Sequence, residues 1–219
     1  MSVPYRDRFD AGRKLAAELA RFRNHPAAVV LGLPRGGVPV AFEVAQSLAL
    51  PLDVFLVRKL GVPGHEELAM GAIASGGIRV LNQDVLRTMR IPPEVVDAVA
   101  RREAQELERR DREYRDNRPA PRVNGQVCIL VDDGLATGSS MRAAVAALRQ
   151  QEPERIVVAV PVAPVEVVRE FLRLADDVVA VDTPEPFYAV GAWYRDFTQT
   201  TDEEIRELLA RAARDLQPR

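Results

Sequence analysis

Short runs of consecutive apolar residues alternate along this chain with longer stretches in which apolar residues recur every three or four positions. The short runs predict buried strands, and the longer stretches predict helices that pack one face on a core. The predicted strands are residues 27–33, 52–57, 127–131, 155–162 and 177–181, and the predicted helices are residues 10–23, 38–48, 141–150, 165–174 and 201–216. Because strands and helices alternate, the pattern predicts an α/β fold: a mainly parallel twisted sheet with helices on both faces.

Three segments depart from this alternation. Residues 92–117 are rich in Glu, Arg, Asp and Ala, which predicts one long, largely solvated surface helix or, less often, a partner site. Residues 70–74 and 77–81 flank a Ser-Gly turn and predict a β-hairpin, whereas the preceding GVPGHEEL predicts irregular chain. A length of 219 residues fits a single domain, residues 1–219, with the long helix and a C-terminal hood and helix, residues 184–219, as additions.

The charge balance removes several classes of partner. There are 30 basic and 32 acidic residues, a formal net charge of -2, which offers no electrostatic footprint for nucleic acid or an anionic membrane. Cys128 is the only cysteine, so an intramolecular disulfide and a cysteine-rich zinc site are excluded. The sequence has no apolar stretch of the ~18 residues that span a bilayer and no secretory apolar segment near its start. We therefore expect a cytoplasmic protein that acts on small molecules.

The most informative motif is VDDGLATGSSM, which follows the apolar run at residues 127–131. Asp132 and Asp133 carry acceptors only, which suits a vicinal diol or a divalent cation. The Thr-Gly-Ser-Ser run that opens the next helix offers backbone amides, three hydroxyls and a helix dipole to a phosphate dianion. Together they predict a ribose 5-phosphate site, although an Asp-Gly turn and a helix cap would explain each half alone. No G-x-x-x-x-G-K-[ST], G-x-G-x-x-G or G-x-S-x-G motif competes.

VCILVDDGLATGSSM resembles the phosphoribosyl pyrophosphate (PRPP) signature of the type I phosphoribosyltransferases. The resemblance implies that Asp132 and Asp133 bind the ribose of PRPP. It implies that the 5-phosphate is bound by Ala136, Thr137, Gly138, Ser139 and Ser140. Over most of its length the chain resembles bacterial phosphoribosyltransferases of unassigned substrate, which share its LPRGG, VRKLGVPG and DFTQTTDEE-like segments.

Two further loops match the expectations of that family. LPRGG resembles its pyrophosphate loop, in which Arg35, Gly36 and Gly37 would face the pyrophosphate, although an ordinary strand-to-helix turn is the alternative. Residues 58–68 stand in the place of its mobile lid, with Arg58 and Lys59 near the start, although these could be solvated surface charges. The resemblance implies that Arg35, Arg58 and Lys59 are catalytic, and that Mg2+ enters with PRPP rather than at a directly assigned metal site.

The implied reaction is displacement of pyrophosphate from PRPP by a nitrogen nucleophile, a nucleobase or related acceptor. Family members that use 6-oxopurines have an aspartate where this chain has Ala136, so such an acceptor is not expected. Stacking on a planar acceptor would explain the aromatic residues Phe187, Tyr188 and Trp193 of the hood, and packing onto the core would explain them equally well.

Two other functions compete. The first is a non-catalytic module that senses PRPP or a nucleotide, and the second is a phosphosugar hydrolase that uses Asp132 or Asp133 as its nucleophile. The expected partners are PRPP and a small-molecule acceptor, with neither nucleic acid nor membrane, and homodimerisation is left open.

Overall fold

A computed structural model describes residues 4–116 and 118–216. Its main sheet contains five parallel strands in the order β2-β1-β6-β7-β8. These strands are β1 (Ala28–Gly32), β2 (Leu52–Val54), β6 (Val127–Val131), β7 (Arg155–Val162) and β8 (Asp177–Asp182). A second, antiparallel sheet contains β3 (Val57–Val62), β4 (His65–Ala74) and β5 (Ile78–Leu81) in sequence order.

The described helices are α1 (Arg8–Glu18), α2 (Gly37–Leu48), α3 (Gln83–Thr88), α4 (Pro93–Arg115), α5 (Ser139–Arg149), α6 (Val165–Phe171) and α7 (Asp202–Asp215). Helices cover both faces of the parallel sheet, and α3 and α4 pack on the antiparallel sheet. Val30 and Ile129 pack with α1 and α2, whereas their strand neighbours Leu31 and Leu130 pack with α5 and α6. Successive side chains of a strand point to opposite faces, so each strand contributes to both cores. The predicted α/β fold with a mainly parallel sheet is confirmed.

The second predicted strand, residues 52–57, is wrong at its end. β2 stops at Val54, the chain passes Phe55 and Leu56, and Val57 begins the antiparallel sheet. The GVPGHEEL segment is not irregular, because most of it belongs to the β3–β4 hairpin, which turns at Pro63 and Gly64. Gly64 has a φ of +80°, which an L side chain rarely adopts. The predicted hairpin at 70–74 and 77–81 is confirmed, with β4 extending back to His65.

The long helix is confirmed as α4, but the prediction that it is largely solvated holds for its outer face alone. On its inner face Val96, Val99, Leu107 and Tyr114 are buried against the antiparallel sheet and α7. These positions are three, eight and seven residues apart, close to one or two helical turns, so they share one helix face. Asn117, the predicted end of this helix, and residues 217–219 of the hood segment lie outside the described residues.

Candidate functional site

Two of the loops singled out in the sequence lie side by side at one edge of the parallel sheet: LPRGG follows β1 and DDGLATGSS follows β6, and these strands are neighbours in the sheet. The third segment, residues 58–68, begins four residues after the end of β2 and belongs to the β3–β4 hairpin. Gly32 pairs with Val131 at the ends of their strands, and the Leu33 amide donates to the Val131 carbonyl at 2.9 Å. The Phe55 amide donates to the Gly32 carbonyl at 3.0 Å. This is the carboxyl edge of the strands, where open α/β sheets bind ligands.

Glycines allow the loop after β1 to lie directly against the acidic residues. A Cβ atom at Gly36 would overlap the Asp133 carboxylate, and one at Gly37 would lie 2.6 Å from the Val131 carbonyl oxygen. No side chain fits at such distances, so the LPRGG glycines bring backbone next to the acidic pair. Arg35 is exposed, its guanidinium lies against the side-chain amide of Gln199, and its peptide bond to Pro34 is cis.

The two aspartates have different partners. Arg8 Nε donates to Asp133 Oδ2 at 2.8 Å, and both side chains are largely buried. The Tyr194 hydroxyl donates to the Asp133 carbonyl at 2.6 Å. Asp132 Oδ1 accepts from the Asp133 amide at 2.9 Å, and no cation in the described ranges pairs with Asp132. Asp133 is therefore tied to protein groups, and Asp132 is the carboxylate left for a ligand.

Electrostatics also separates the two residues. Burial raises the pKa of the Asp132 carboxyl well above its ordinary value, and the neighbouring charge of Asp133 raises it further. Burial raises the pKa of Asp133 as well, but the Arg8 guanidinium opposes that effect. Charged carboxylates in a poorly solvated place are unfavourable until a cation or a hydrogen-bond donor reaches them. This part of the edge therefore favours ligands that bring hydroxyl donors or positive charge.

The phosphate-binding candidates form an open turn at the start of α5. Gly138 precedes the helix with a φ of +70°, and a Cβ there would lie 2.5 Å from the Phe171 ring. The Thr137 and Ser139 hydroxyl oxygens lie 3.0 Å apart, and Ala136 and Ser140 are exposed on either side. Among the described residues, no side chain caps the first amides of α5. These amides and hydroxyls are available to an anion.

Arg58 and Lys59, the predicted basic pair of the lid, point to opposite sides of the hairpin. Successive strand residues face opposite sides, and both Arg58 and Lys59 lie in β3. Arg58 donates to Glu103 Oε2 of α4 at 2.6 Å and lines a cavity beside Pro34 and Ser140. Lys59 is exposed and donates to the carbonyl of Glu67 in β4 at 3.2 Å. The structure thus brings Arg58, but not Lys59, to the loops.

The hood aromatics have unequal environments. Phe187 and Trp193 pack in a cluster with Tyr5 and Tyr194, and Tyr188 is 82% exposed. Packing accounts for the first two, so a role in acceptor binding stays a prediction for all three. The short 3-10 helix Val190–Trp193 brings Val190 against Gly134, so the hood does reach the acidic loop.

Arg8 and Tyr5 are site-forming residues that the sequence did not point to, whereas Tyr194, which also forms the site, belongs to the aromatic cluster of the predicted hood. Arg8 and Asp133 are 125 positions apart, and Arg8 Nη1 also donates to the Thr198 carbonyl, 190 positions away, at 2.7 Å. Arg8 stacks on the Phe197 ring, with its guanidinium carbon 4.0 Å from the ring centre. The residues around Arg8 and Tyr5 in the sequence form an ordinary amphipathic or aromatic pattern, so no local sequence motif identifies their role in the site.

Two features are absent from the described part of the chain. In residues 4–116 and 118–216, no three His, Cys, Asp or Glu side chains come together as metal ligands. Within the same ranges, none of the helices combines the length and the apolar character needed to cross a membrane.

The sheet, the loops at its carboxyl edge and the paired aspartates define an α/β protein with a candidate ligand site, and comparison with known proteins narrows this class of protein. The model of the phosphoribosyl transferase domain matches residues 64–170, which include the acidic pair and the turn before α5. The crystal structure of TT1426 from Thermus thermophilus superposes with a TM-score of 0.85 at 46% identity, covering 94% of this chain and 98% of that one.

Two curated relatives come from Mycobacterium tuberculosis. "Putative phosphoribosyl transferase Rv0571c" of strain H37Rv and "Putative phosphoribosyl transferase MT0597" of strain CDC 1551 are each 51% identical over 209 residues, 95% of this chain. The chain spans 47% of the length of these relatives. The chain belongs to the phosphoribosyltransferase family.

Proposed function

We propose that this protein transfers a phosphoribosyl group from PRPP to a nitrogen nucleophile. The observation that carries the proposal is the loop after β6. There Asp132, which pairs with no cation among the described residues, precedes amides at the start of α5 that no described side chain caps. The family supplies the class of reaction. The donor, the acceptor and the activity itself are our inference.

The parts of PRPP would be divided between the loop after β6 and the LPRGG loop after β1. Thr137, Gly138, Ser139 and Ser140, with Ala136 beside them, would take the 5-phosphate, and Asp132 would accept from the ribose hydroxyls. The amides of Gly36 and Gly37 and the Arg35 guanidinium would face the pyrophosphate. Asp133, held by Arg8, would mainly fix the loop that carries Asp132.

The residues present fit a magnesium ion that arrives with PRPP. Mg2+ takes oxygen ligands and is usually held by one or two carboxylates together with substrate phosphates. Asp132 provides such a carboxylate, and its burial beside Asp133 makes added positive charge favourable. Mg2+ bound there would neutralise charge on the departing pyrophosphate.

In the proposed reaction the bond between the anomeric carbon and the pyrophosphate oxygen breaks, and a bond from the acceptor nitrogen to that carbon forms. The chain's part is to position both reactants and to stabilise the charge that develops on the leaving group, through Arg35 and Arg58. Ala136 offers no carboxylate to an acceptor, which supports an acceptor other than a 6-oxopurine. Phe187, Tyr188 and Trp193 are proposed to border the acceptor.

A sensing module is the second candidate, and one observation favours it. Two of the charged groups near the site already have protein partners, Asp133 with Arg8 and Arg58 with Glu103. An enzyme would have to release such contacts during turnover, whereas a protein that only binds PRPP could keep them.

The test is incubation with PRPP, Mg2+ and a panel of nucleobases and related amines, with released pyrophosphate as the readout and thermal stabilisation by PRPP measured in parallel. We expect the wild type to be stabilised by PRPP, by about 2.7 kcal/mol at a hundredfold excess over Kd. Asp132→Asn should lose most of that stabilisation, and the exposed Asp97→Asn should keep it.

Three results would change the proposal. PRPP binding without pyrophosphate release from any acceptor would favour the sensor. Hydrolysis of a phosphosugar that Asp132→Asn abolishes would favour the hydrolase. A melting temperature that ignores millimolar PRPP would overturn PRPP as the ligand.

A further inference from the structure

Two charged residues of α4 occupy the stripe that otherwise packs on the core. Leu107 and Tyr114 are buried on this stripe, and the helical spacing places Glu103 four residues before Leu107 and Arg110 four residues before Tyr114. A charged group on a core-facing stripe is costly unless it meets a partner or a ligand. Arg110 is therefore not part of the solvated face of this helix.

Arg110 reaches the edge of the sheet where the loops converge. With Leu107 and Arg58 it lines a cavity whose opposite walls include Pro34 of the LPRGG loop and Ser140 at the start of α5. The long helix, the β3–β4 hairpin and two of the candidate ligand loops thus border one space.

The ionisable residues that line this cavity are both cationic. Arg58 and Arg110 face it, and their carboxylate partners lie on α4 outside the lining, Glu103 at 2.6 Å from Arg58 and Glu106 at 2.8 Å from Arg110. Both guanidiniums are partly exposed, at 30% and 38%, and each has donors beyond those bonds. The remaining lining residues are apolar: Leu33, Pro34, Phe55, Leu56, Val57 and Leu107. Phosphate oxygens at this cavity would therefore meet the two guanidiniums and the Ser140 hydroxyl as side-chain donors.

We infer that Arg110, together with Arg58, binds the pyrophosphate part of PRPP, so that the long helix forms one wall of the donor site. This inference rests on the proposed function, because it assigns a further binding residue to the same ligand. It also gives the helix a reason for its charged inner positions, which packing alone leaves unexplained.

The chain offers a matched control in the neighbouring residue. Arg109 is also paired with Glu106, at 2.8 Å, but it is 56% exposed and does not line the cavity. The experiment compares Arg110→Gln with Arg109→Gln by calorimetric titration with PRPP and with inorganic pyrophosphate, each in the presence of Mg2+. Arg110→Lys adds a variant that keeps the charge but loses the planar fork.

We expect Arg110→Gln to weaken binding of both ligands by about ten- to a hundredfold, the range for a hydrogen bond to a charged group. Arg109→Gln should bind as the wild type does, and Arg110→Lys should recover part of the loss. Melting temperatures within about 4 °C of the wild type would show that all variants fold, because the ion pairs of Arg109 and Arg110 with Glu106 retain access to solvent and contribute little.

Other outcomes overturn the inference in distinguishable ways. Wild-type affinity in Arg110→Gln would make Arg110 a structural residue only. Equal losses in both Gln variants would place the effect in the Glu106 network. Failure of the wild type to bind PRPP would overturn the proposed function, and this inference with it.

Discussion

Asp132 and Asp133 place two carboxylates at the end of one buried strand, and Arg8 neutralises only Asp133. Such a pair destabilises the unliganded protein, since burial and mutual repulsion both disfavour its charged form. Proteins retain destabilising groups of this kind at sites where a bound ligand offsets their cost. The acidic pair could be found from the sequence. The different roles of Asp132 and Asp133 could not, because they depend on Arg8, which no local motif identifies.

Because the charged Asp132 carboxylate destabilises the folded protein, Asp132→Asn should raise the free energy of unfolding in a pH-dependent way. Because the folded-state pKa of Asp132 lies above its unfolded value of about 3.9, the folded protein holds the extra proton and loses stability as pH rises through the folded pKa. The Asn variant removes that loss and still accepts from the Asp133 amide. We expect it to gain about 0.5–2 kcal/mol at pH 7.5 and less at pH 4.5, measured by urea unfolding. A gain that does not change with pH would contradict this account.

Gly138 combines a backbone conformation and a close contact that can be tested separately. Gly138→Ala must adopt a φ of +70° and also meet the Phe171 ring, whereas Gly125→Ala has a φ of +68° with open space around it. We expect Gly125→Ala to cost about 1–2 kcal/mol of unfolding free energy from the backbone alone. Gly138→Ala should cost a further ~1–3 kcal/mol from overpacking. Equal losses in guanidinium unfolding would show that the ring moves aside.

Among the helices and strands, those whose residues are all buried and apolar were predicted most accurately from the sequence. The run at 127–131 was predicted as it folds, because all five residues of β6 are buried and apolar. The β3–β4 hairpin was missed because its exposed, charged tip interrupts the few apolar positions, such as Leu60 and Val62, that pack with α4. The inner face of α4 was missed because Glu103 and Arg110 interrupt its apolar stripe.

Arg115 anchors the end of α4 to the parallel sheet. Its guanidinium is almost fully buried, donating to Asp53 Oδ1 and to the Val54 carbonyl at 2.9 Å each. Arg115→Leu would leave Asp53, whose pKa burial already raises, without the charge that opposes this effect. We expect a loss of about 3–5 kcal/mol in denaturant unfolding.

Arg112→Leu is the control for this anchor. Arg112 lies on the same helix, 71% exposed and 3.9 Å from Glu108, so its loss should stay within about 0.5 kcal/mol. Comparable losses in the two variants would mean that helix propensity or solubility, rather than the buried pair, determines the result.

In the whole molecule, residues 5–8 contact the hood at residues 193–198, beside the candidate site. The Tyr5 amide donates to the Trp193 carbonyl at 3.2 Å, and the Arg195 amide donates to the Tyr5 carbonyl at 3.0 Å. Arg8 then links Thr198 to Asp133. This arrangement could not be predicted from the sequence, because it depends on which strand ends the topology brings together rather than on any local pattern.

Arg8 should therefore matter to stability and to ligand binding at once. Arg8→Gln leaves a buried carboxylate unpaired, and we expect a loss of about 3–5 kcal/mol in unfolding free energy together with weaker PRPP binding. Arg6→Gln changes a 69% exposed residue two positions earlier and should have little effect on either measurement. If Arg8→Gln unfolds like the wild type, Asp133 does not depend on Arg8.

The contact between residues 5–8 and 193–198 also imposes an order on synthesis. Arg8 leaves the ribosome early, Asp133 follows, and Thr198 comes 190 positions after Arg8, which at about 5–20 residues per second takes roughly 10–40 s. During that interval Tyr5, fully buried in the finished protein, has no hood to cover it. A nascent chain thus carries Arg8 and the acidic pair before the hood residues that contact them, and the candidate site is complete only after Thr198 has been made.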